Sequence, residues 1–502
     1  MTESVETLKA RLLKIKRLGE ISELLDWDQQ TYMPHGAATA RGEQSATIRQ
    51  LVHEMFVDDA TGAQLARAEA DTAGQDPDSD DVRMLAVVRR DYDRATRLPG
   101  DLVAEISRQS AISHSIWVSA RQNSDFNAFA PALEKMLDLT RQMAQHLGYR
   151  DHIYDALLDG YEPGMKQADV ATMFADIKPD LVALTKAISQ SARPVDDSLL
   201  HRSYPAAVQK PFTLKLASEF GFDLNRGRQD EAAHPFCSGF NRDDVRLTTR
   251  FDEAFLSQGL YATLHETGHG LYEQGLPARY DDSPLGAAVS LGVHESQSRM
   301  WENLVGRSRP YCQYVFPQLQ ASFPEALGGE TAGGYYRAVN RVHPSLIRVE
   351  ADEVTYNLHI MLRFEIECEL LTGALAVKDL PAAWNDRIYS YLGVTPPDDA
   401  QGVLQDVHWS AGLIGYFPTY ALGNLISGQL WNAVQKAIPS LEEDIRAGKF
   451  SGLLDWLRAN VHDHGRKYLP KELIQKATGE PLTSRYYLDY LKAKFGDIYG
   501  LA

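Results

Sequence analysis

The 502-residue chain is poor in cysteine: Cys237, Cys312 and Cys368 are the only three. An odd number without C-x-x-C spacing excludes a disulfide framework and a cysteine zinc site, and points to a reducing compartment. Basic residues are in deficit, 51 Lys+Arg against 68 Asp+Glu for a net charge of −17, with the acids spread along the chain. That balance argues against nucleic acid or an anionic membrane as a partner. No stretch approaches the roughly 20 apolar residues of a membrane span. The opening, MTESVETLKARLLKIKRLGEISELL, is charged throughout and lacks the apolar core and small-residue cleavage site of a secretory signal, so a cytosolic location is expected. No repeat of fixed period and no biased linker is present. Length alone suggests three domains, yet no boundary is visible, and residues 1–502 are read as one unit.

With 44% hydrophobic and 24% charged residues the chain can bury a large core. Leu8, Leu12, Ile15, Leu18 and Ile21 recur at helical spacing. Similar periodicity marks 100–120, 127–147, 168–190, 211–221, 252–275, 286–306, 345–372, 421–437 and 471–496, which predicts a mostly α-helical protein. CSGFNRDDVRLTTRF (237–251) is the exception, because Val245, Leu247 and Thr249 alternate with polar neighbours, as in a strand. Segments 71–82 and 396–402, acidic with Gly and Pro, read as surface loops.

Directly after that strand comes LYATLHETGHGLYEQGL (260–276). On a helix His265 and His269, four residues apart, share a face and can offer two imidazole nitrogens to one ion, while Glu266 points round toward a metal-activated water. A metal such as zinc lowers the pKa of its water to about 7, and an adjacent carboxylate removes the proton during attack on a carbonyl. With 15 histidines and glutamate at about 7%, chance supplies H-E-x-x-H roughly 0.03 times in such a chain. Gly268 and Gly270 cost the helix about 1 kcal/mol each relative to alanine, which suggests close approach by another chain segment or a ligand.

A third ligand is needed. Tyr272 and Gly275 stand where a metzincin places its glycine spacer and third histidine, and Glu273 lies about 12 Å along the axis from His265, out of reach. The next helical stretch, LGVHESQSRMWENLVG (291–306), offers His294, Glu295 and Glu302, with Glu295 26 residues beyond His269, a separation suited to an antiparallel return.

Further motifs complete a pattern: HPF (His234–Phe236), DVRLT (Asp244–Thr248), HETGH, HES (His294–Ser296), IRVEAD (Ile347–Asp352), GVLQDVHW (Gly402–Trp409) and the opening LLDWDQQTYMP (24–34). The six motifs from HPF to GVLQDVHW, in that order, together with the opening stretch, resemble the carboxypeptidase Taq family of zinc metallocarboxypeptidases over nearly the whole chain. The resemblance implies a helical, two-lobed fold with a deep groove, akin to the angiotensin-converting-enzyme group, and a homodimer. It also implies Glu295 as third ligand, zinc with cobalt often accepted, and broad-specificity release of single C-terminal residues. Manganese is not excluded by the donor types.

Such release requires grip on a terminal carboxylate, the task of an arginine fork. Arg246, sharing a strand face with Asp244, and Arg348, sharing a helix face with Asp352, are the candidates. An extended substrate adding to the edge of strand 244–249 would bring affinity without side-chain preference. His408 and Tyr420 are candidates to stabilise the oxyanion. Gln405 either contacts substrate or orients a neighbour, and His234 is a cleft-lining candidate. Two alternatives stand beside this reading: a zinc endopeptidase or dipeptidase on the same ligands, and a non-catalytic helical binding protein.

Overall fold

A computed structural model describes residues 2–501. Helices dominate, beginning with Glu3–Thr31, whose N-cap Thr2 accepts a hydrogen bond from the Val5 amide. Leu8, Leu12 and Ile15 of that helix are buried with Leu65, Ala68, Met84, Leu85 and Val88, and with Tyr280 and Leu285 from the body. These residues form a small core of their own. A second, much larger core runs from Trp117 to Tyr499. No described helix is long and apolar enough to cross a membrane.

The predicted helical stretches are present with shifted bounds. Phe126–Leu147, Gln167–Ser189, Leu256–Gly275 and Pro418–Ala437 match closely. The 471–496 stretch is instead two helices, Pro470–Thr478 and Arg485–Tyr499, because Gly479 takes φ +82° and Pro481 follows it. The 345–372 stretch also divides: Arg348–Glu350 is a 3-10 turn and the α-helix begins at Tyr356. Asp352 accepts from the backbone amides of Val354 and Thr355 at 3.0 Å each and so ends the turn, rather than facing Arg348 across a helix.

Three strands, β1 (Gly227–Glu231), β2 (Cys237–Asn241) and β3 (Asp244–Thr249), pair in the order β1-β3-β2. β3 runs parallel to β1 and antiparallel to β2, so Arg246 lies beside Arg228 on one side and Ser238 on the other. Both of its edges are occupied. An extended substrate therefore has no place to pair with β3, contrary to expectation.

The sheet rides on the Leu256–Gly275 helix. Leu247 and the ring of Phe222 press on Gly270, the Gln229 amide donates to Thr263 Oγ1 at 2.9 Å, and the β2 backbone at Gly239 closes on Glu273. Gly268 admits the neighbouring helix: a Cβ there would lie 2.5 Å from the Gln297 carbonyl oxygen and 2.6 Å from Ser298 Cα. The glycine cost read from the sequence is thus matched by two close approaches of other chain segments.

Candidate active site

The Leu291–Arg299 helix carries Glu295, and its N-terminus is held at three amides. Leu291 N–H donates to the Tyr161 carbonyl, Gly292 N–H to the buried Glu162 carboxyl, and Val293 N–H to the N-cap Ser290 Oγ. Beyond Arg299 the helix widens into a π-turn over Met300–Val305, a form found often at functional sites. From above, the Pro418–Ala437 helix closes on Glu295 at Gly423, where a Cβ would sit 2.5 Å from Glu295 Cγ.

These supports bring three donors to one point. Glu295 Oε2 lies 3.5 Å from His265 Nε2 and 3.4 Å from His269 Nε2. Ligands about 2.0–2.1 Å from a tetrahedral ion stand about 3.4 Å apart, so these separations fit a shared divalent ion better than direct hydrogen bonds. His265, His269 and Glu295 are also the one group of His, Cys, Asp or Glu side chains among the described residues with metal-binding spacing. Charge favours a cation here. Burial would lower the His265 pKa, yet Glu295 and Glu302 together push it up to about 10.

Each histidine's other nitrogen is tied. His265 Nδ1 lies 2.8 Å from Glu302 Oε2, and His269 Nδ1 lies 2.5 Å from His294 Nδ1, whose Nε2 is 2.7 Å from Glu273 Oε1. Arg299 donates to Glu295 Oε1 at 2.7 Å and to Glu302 at 3.3 Å. Neither His294, Glu302 nor Glu273 therefore belongs to the donor triangle; all three stand behind it. Glu266 is buried beside the triangle with no side-chain hydrogen bond among the described residues. Burial and the Glu295 and Glu302 charges raise it to about 7, against the pull of His265.

A second constellation lies around Asp406. Arg348 donates through Nε and Nη2 to Asp406 Oδ1 at 3.0 and 2.9 Å, and through Nη1 to the Tyr356 hydroxyl at 3.1 Å. Arg363 bonds the other Asp406 oxygen. Burial would raise the Asp406 pKa, but the two guanidiniums outweigh it and hold the carboxyl far below its usual range. The predicted Arg348–Asp352 pair is thus replaced by Arg348–Asp406, 58 residues apart. Gln405 belongs to the same network: its Oε1 accepts from the Arg348 amide at 2.9 Å and from Arg363 at 2.8 Å, and its amide donates to three carbonyls. It orients Arg348.

His408 and Tyr420 adjoin this network, with His408 Nε2 3.3 Å from the Tyr420 hydroxyl and the Arg348 guanidinium 5.0 Å over the Tyr420 ring. Burial, reinforced by Arg348 and Arg363, lowers His408 to about 4 despite Asp406, so the ring is neutral at pH 7. The two constellations touch where Arg299 stacks 4.6 Å over the ring of Tyr356.

Arg246 stands elsewhere. Its fork is bidentate to Asp244 at 2.8 and 2.9 Å, as the strand spacing predicted. Alternation along β3, however, turns Val245 and Leu247 toward the metal-site helix and Arg246 to the opposite face, stacked on Trp27 at 4.3 Å and Phe240 at 5.0 Å. Arg228 repeats the device next door, bidentate to Asp230 at 2.7 Å and 5.6 Å over Trp27. His234 is exposed in the β1–β2 connection with no side-chain hydrogen bond among the described residues.

Sequence reasoning missed Asp406, Arg363, Tyr356, Arg299 and Trp27. Asp406, Trp27 and Arg299 had a signal, since each lies inside a quoted stretch, Arg299 four residues after Glu295.

The chain is similar over its whole length to known proteins. The model of the carboxypeptidase Taq (M32) metallopeptidases matches residues 7–495. The chain is 42% identical to thermostable carboxypeptidase 1 of Thermus thermophilus over 99% of both chains, and 35% identical to carboxypeptidase 1 of Bacillus subtilis over 97% of both. The crystal structure of an M32 carboxypeptidase from Deinococcus radiodurans superposes with a TM-score of 0.97, at 42% identity and full coverage of both chains. The chain belongs to the carboxypeptidase Taq (M32) family of metallopeptidases, and with it to the metal-dependent carboxypeptidases.

Proposed function

We propose that this enzyme releases single C-terminal residues from peptides with little regard to their identity, using a zinc ion held by His265, His269 and Glu295. The observation that carries the reading is the donor triangle of 3.4 and 3.5 Å edges with Glu266 beside it. Two imidazoles and one carboxylate are a donor set that suits zinc, with cobalt or manganese as substitutes. When bound, the ion supplies Lewis acidity and acidifies a water.

The chain's own groups do the rest. Glu266 accepts the proton from the attacking water and delivers it to the departing amine. Its raised pKa keeps it within range of both transfers near neutral pH. The carbonyl oxygen, as it gains charge, is met by the Tyr420 hydroxyl, with neutral His408 orienting that hydroxyl through its Nε2.

Arg348 is the better placed of the two candidate clamps. Asp406 occupies its Nε–Nη2 side and Tyr356 one Nη1 proton, which leaves one N–H on each Nη as an end-on fork for a carboxylate. Arg246, on the far face of the sheet, is instead the pin between Trp27 and β3. Because the terminal carboxylate is common to all peptides, gripping it sets the position of cleavage without selecting a side chain. Broad specificity follows from this, not from strand addition.

Matched peptides with free and amidated C-termini, digested with and without chelator and read by mass spectrometry, test the reading. Loss of one residue from the free form alone, abolished by chelator and restored by zinc, is expected. Equal cleavage of both forms would overturn it in favour of an endopeptidase.

A further inference from the structure

We infer that His294 and Glu273 are positioning residues that lock His269 in the tautomer a metal requires; the inference rests on reading His265, His269 and Glu295 as the metal site. His269 and Glu273 are four residues apart on one helix, and the His294 ring inserts between them from the neighbouring helix. It lies 2.5 Å from His269 by Nδ1 and 2.7 Å from Glu273 by Nε2, with its ring 4.5 Å from that of His269 and 5.3 Å from that of Tyr272.

Two imidazole Nδ1 atoms cannot both donate or both accept. If His269 offers its Nε2 lone pair to a cation, its proton is on Nδ1, and His294 Nδ1 must be the acceptor. The His294 proton is then on Nε2, where the Glu273 carboxylate receives it. One arrangement of protons satisfies all four positions. Flipping either ring leaves a part-buried nitrogen mispaired, and an amide in place of the Glu273 carboxylate could donate to His294 Nε2 as well as accept from it, which admits the opposite tautomer.

Glu273 is itself closely packed. A Cβ at Gly239 would sit 2.7 Å from both its Cγ and its Oε2, so the β2 backbone lies directly against this side chain. The two ligand histidines thus have unlike supports: His265 is backed by the Glu302 carboxylate directly, His269 by a carboxylate acting through a second imidazole. Behind a ligand histidine such partners set ring orientation and basicity, and their loss typically costs 10–100-fold in metal affinity.

The test uses the full-length protein and zinc, with the dissociation constant measured by competition against a chromogenic chelator for the wild type, Glu273→Gln, His294→Phe, the double variant and His269→Ala. Thermal midpoints of the metal-free forms report folding. Glu273→Gln, which preserves shape, and His294→Phe are each expected to raise the zinc Kd about 10–100-fold, and the double variant no more than His294→Phe, since Glu273 acts through His294. If His269→Ala binds zinc like the wild type, the metal site itself is misread. If His269→Ala loses zinc while Glu273→Gln and His294→Phe stay within twofold of the wild type, or their effects multiply in the double variant, the positioning inference is overturned.

Discussion

Replacing Gly268 with alanine sets two effects of the same methyl group against each other. Glycine in a helix interior costs about 1 kcal/mol relative to alanine, so propensity alone favours the variant. The added Cβ, however, would meet the Gln297 carbonyl oxygen at 2.5 Å, Ser298 Cα at 2.6 Å and the Gln297 carbonyl carbon at 2.9 Å. All three are backbone atoms, so no rotamer change can clear them. To reach separations of 3.0–3.4 Å the two helices must part by roughly 0.5–0.9 Å, and overpacking of this kind costs about 1–3 kcal/mol. The net effect on the metal-free protein is therefore between no change and a loss of about 2 kcal/mol.

The functional consequence is separable from the stability change. Gly268 stands between His265 and His269, while Gln297 and Ser298 follow Glu295 on the other helix, so the parting acts directly on donor separations now at 3.4 and 3.5 Å. Metal sites tolerate about 0.2 Å in ligand distance. The expected zinc affinity falls at least about tenfold, equivalent to about 1.4 kcal/mol. Chelator competition measures this, with thermal midpoints of the metal-free forms alongside. Gly19→Ala is the control, because it lies within a helix with nothing within 4 Å of its Cβ and is expected to gain stability only. A Gly268→Ala protein with a raised midpoint and wild-type zinc affinity would refute the reasoning.

Arg348→Lys retains the charge but loses the fork, so KM for free-C-terminal peptides is expected to rise about tenfold or more, while Arg246→Gln leaves the free-versus-amidated preference intact; the reverse pattern would return the clamp to Arg246. Asp406→Asn leaves two buried guanidiniums without their counter-charge and is expected to cost about 3–5 kcal/mol by denaturant titration, and a loss under about 1 would show the network to be dispensable. Glu162, raised by burial from 4.5 to about 8 against the Gly292 and Ser290 hydrogen bonds, contributes stability that is whole below pH 4.5 and lost as pH rises through about 8. Glu162→Gln mimics the protonated acid and does not titrate, so its midpoint should rise relative to that of the wild type from pH 5 to 8.5 in the metal-free protein, and a constant difference would show that Glu162 does not titrate there.

What the sequence made legible was local. The histidine spacing on one helix turn, the Asp244–Arg246 pairing two residues apart, and the glycine cost at 268 and 270 all follow from geometry within a few residues. Arg348 failed because its nearest acid in sequence, Asp352, is consumed by the backbone of the turn, and its true partner lies 58 positions away. The position of β3 in its sheet was hidden for a similar reason: alternation reveals the faces of a strand and says nothing of its neighbours. Helix Ala38–Val57 left no trace in the periodicity because it buries only Ser45 and has no apolar stripe. Helix Tyr356–Thr372, buried on nearly every side, gave no clear start, so the 3-10 turn before it was absorbed into the prediction.

The link between the two constellations bears on why cleavage falls at one bond. Glu295 turns one oxygen to the histidines and the other to Arg299; Arg299 stacks on Tyr356, and Tyr356 accepts from Arg348. The proposed metal ligand and the proposed carboxylate clamp are thus joined by three contacts through one aromatic ring. An exopeptidase must hold the terminal carboxylate at a constant distance from the attacked carbonyl, and a misplacement of about 1 Å costs on the order of 100-fold in rate. A short, buried chain of charged and aromatic groups keeps that distance better than two sites mounted separately on mobile segments. Arg246 lacks any such connection: its contacts run to Trp27, Phe240 and Asp244, none of which touches Glu295. Asp406 matters for the same reason: by holding Arg348 and Arg363 on opposite oxygens it fixes the far end of the chain of contacts that begins at Glu295.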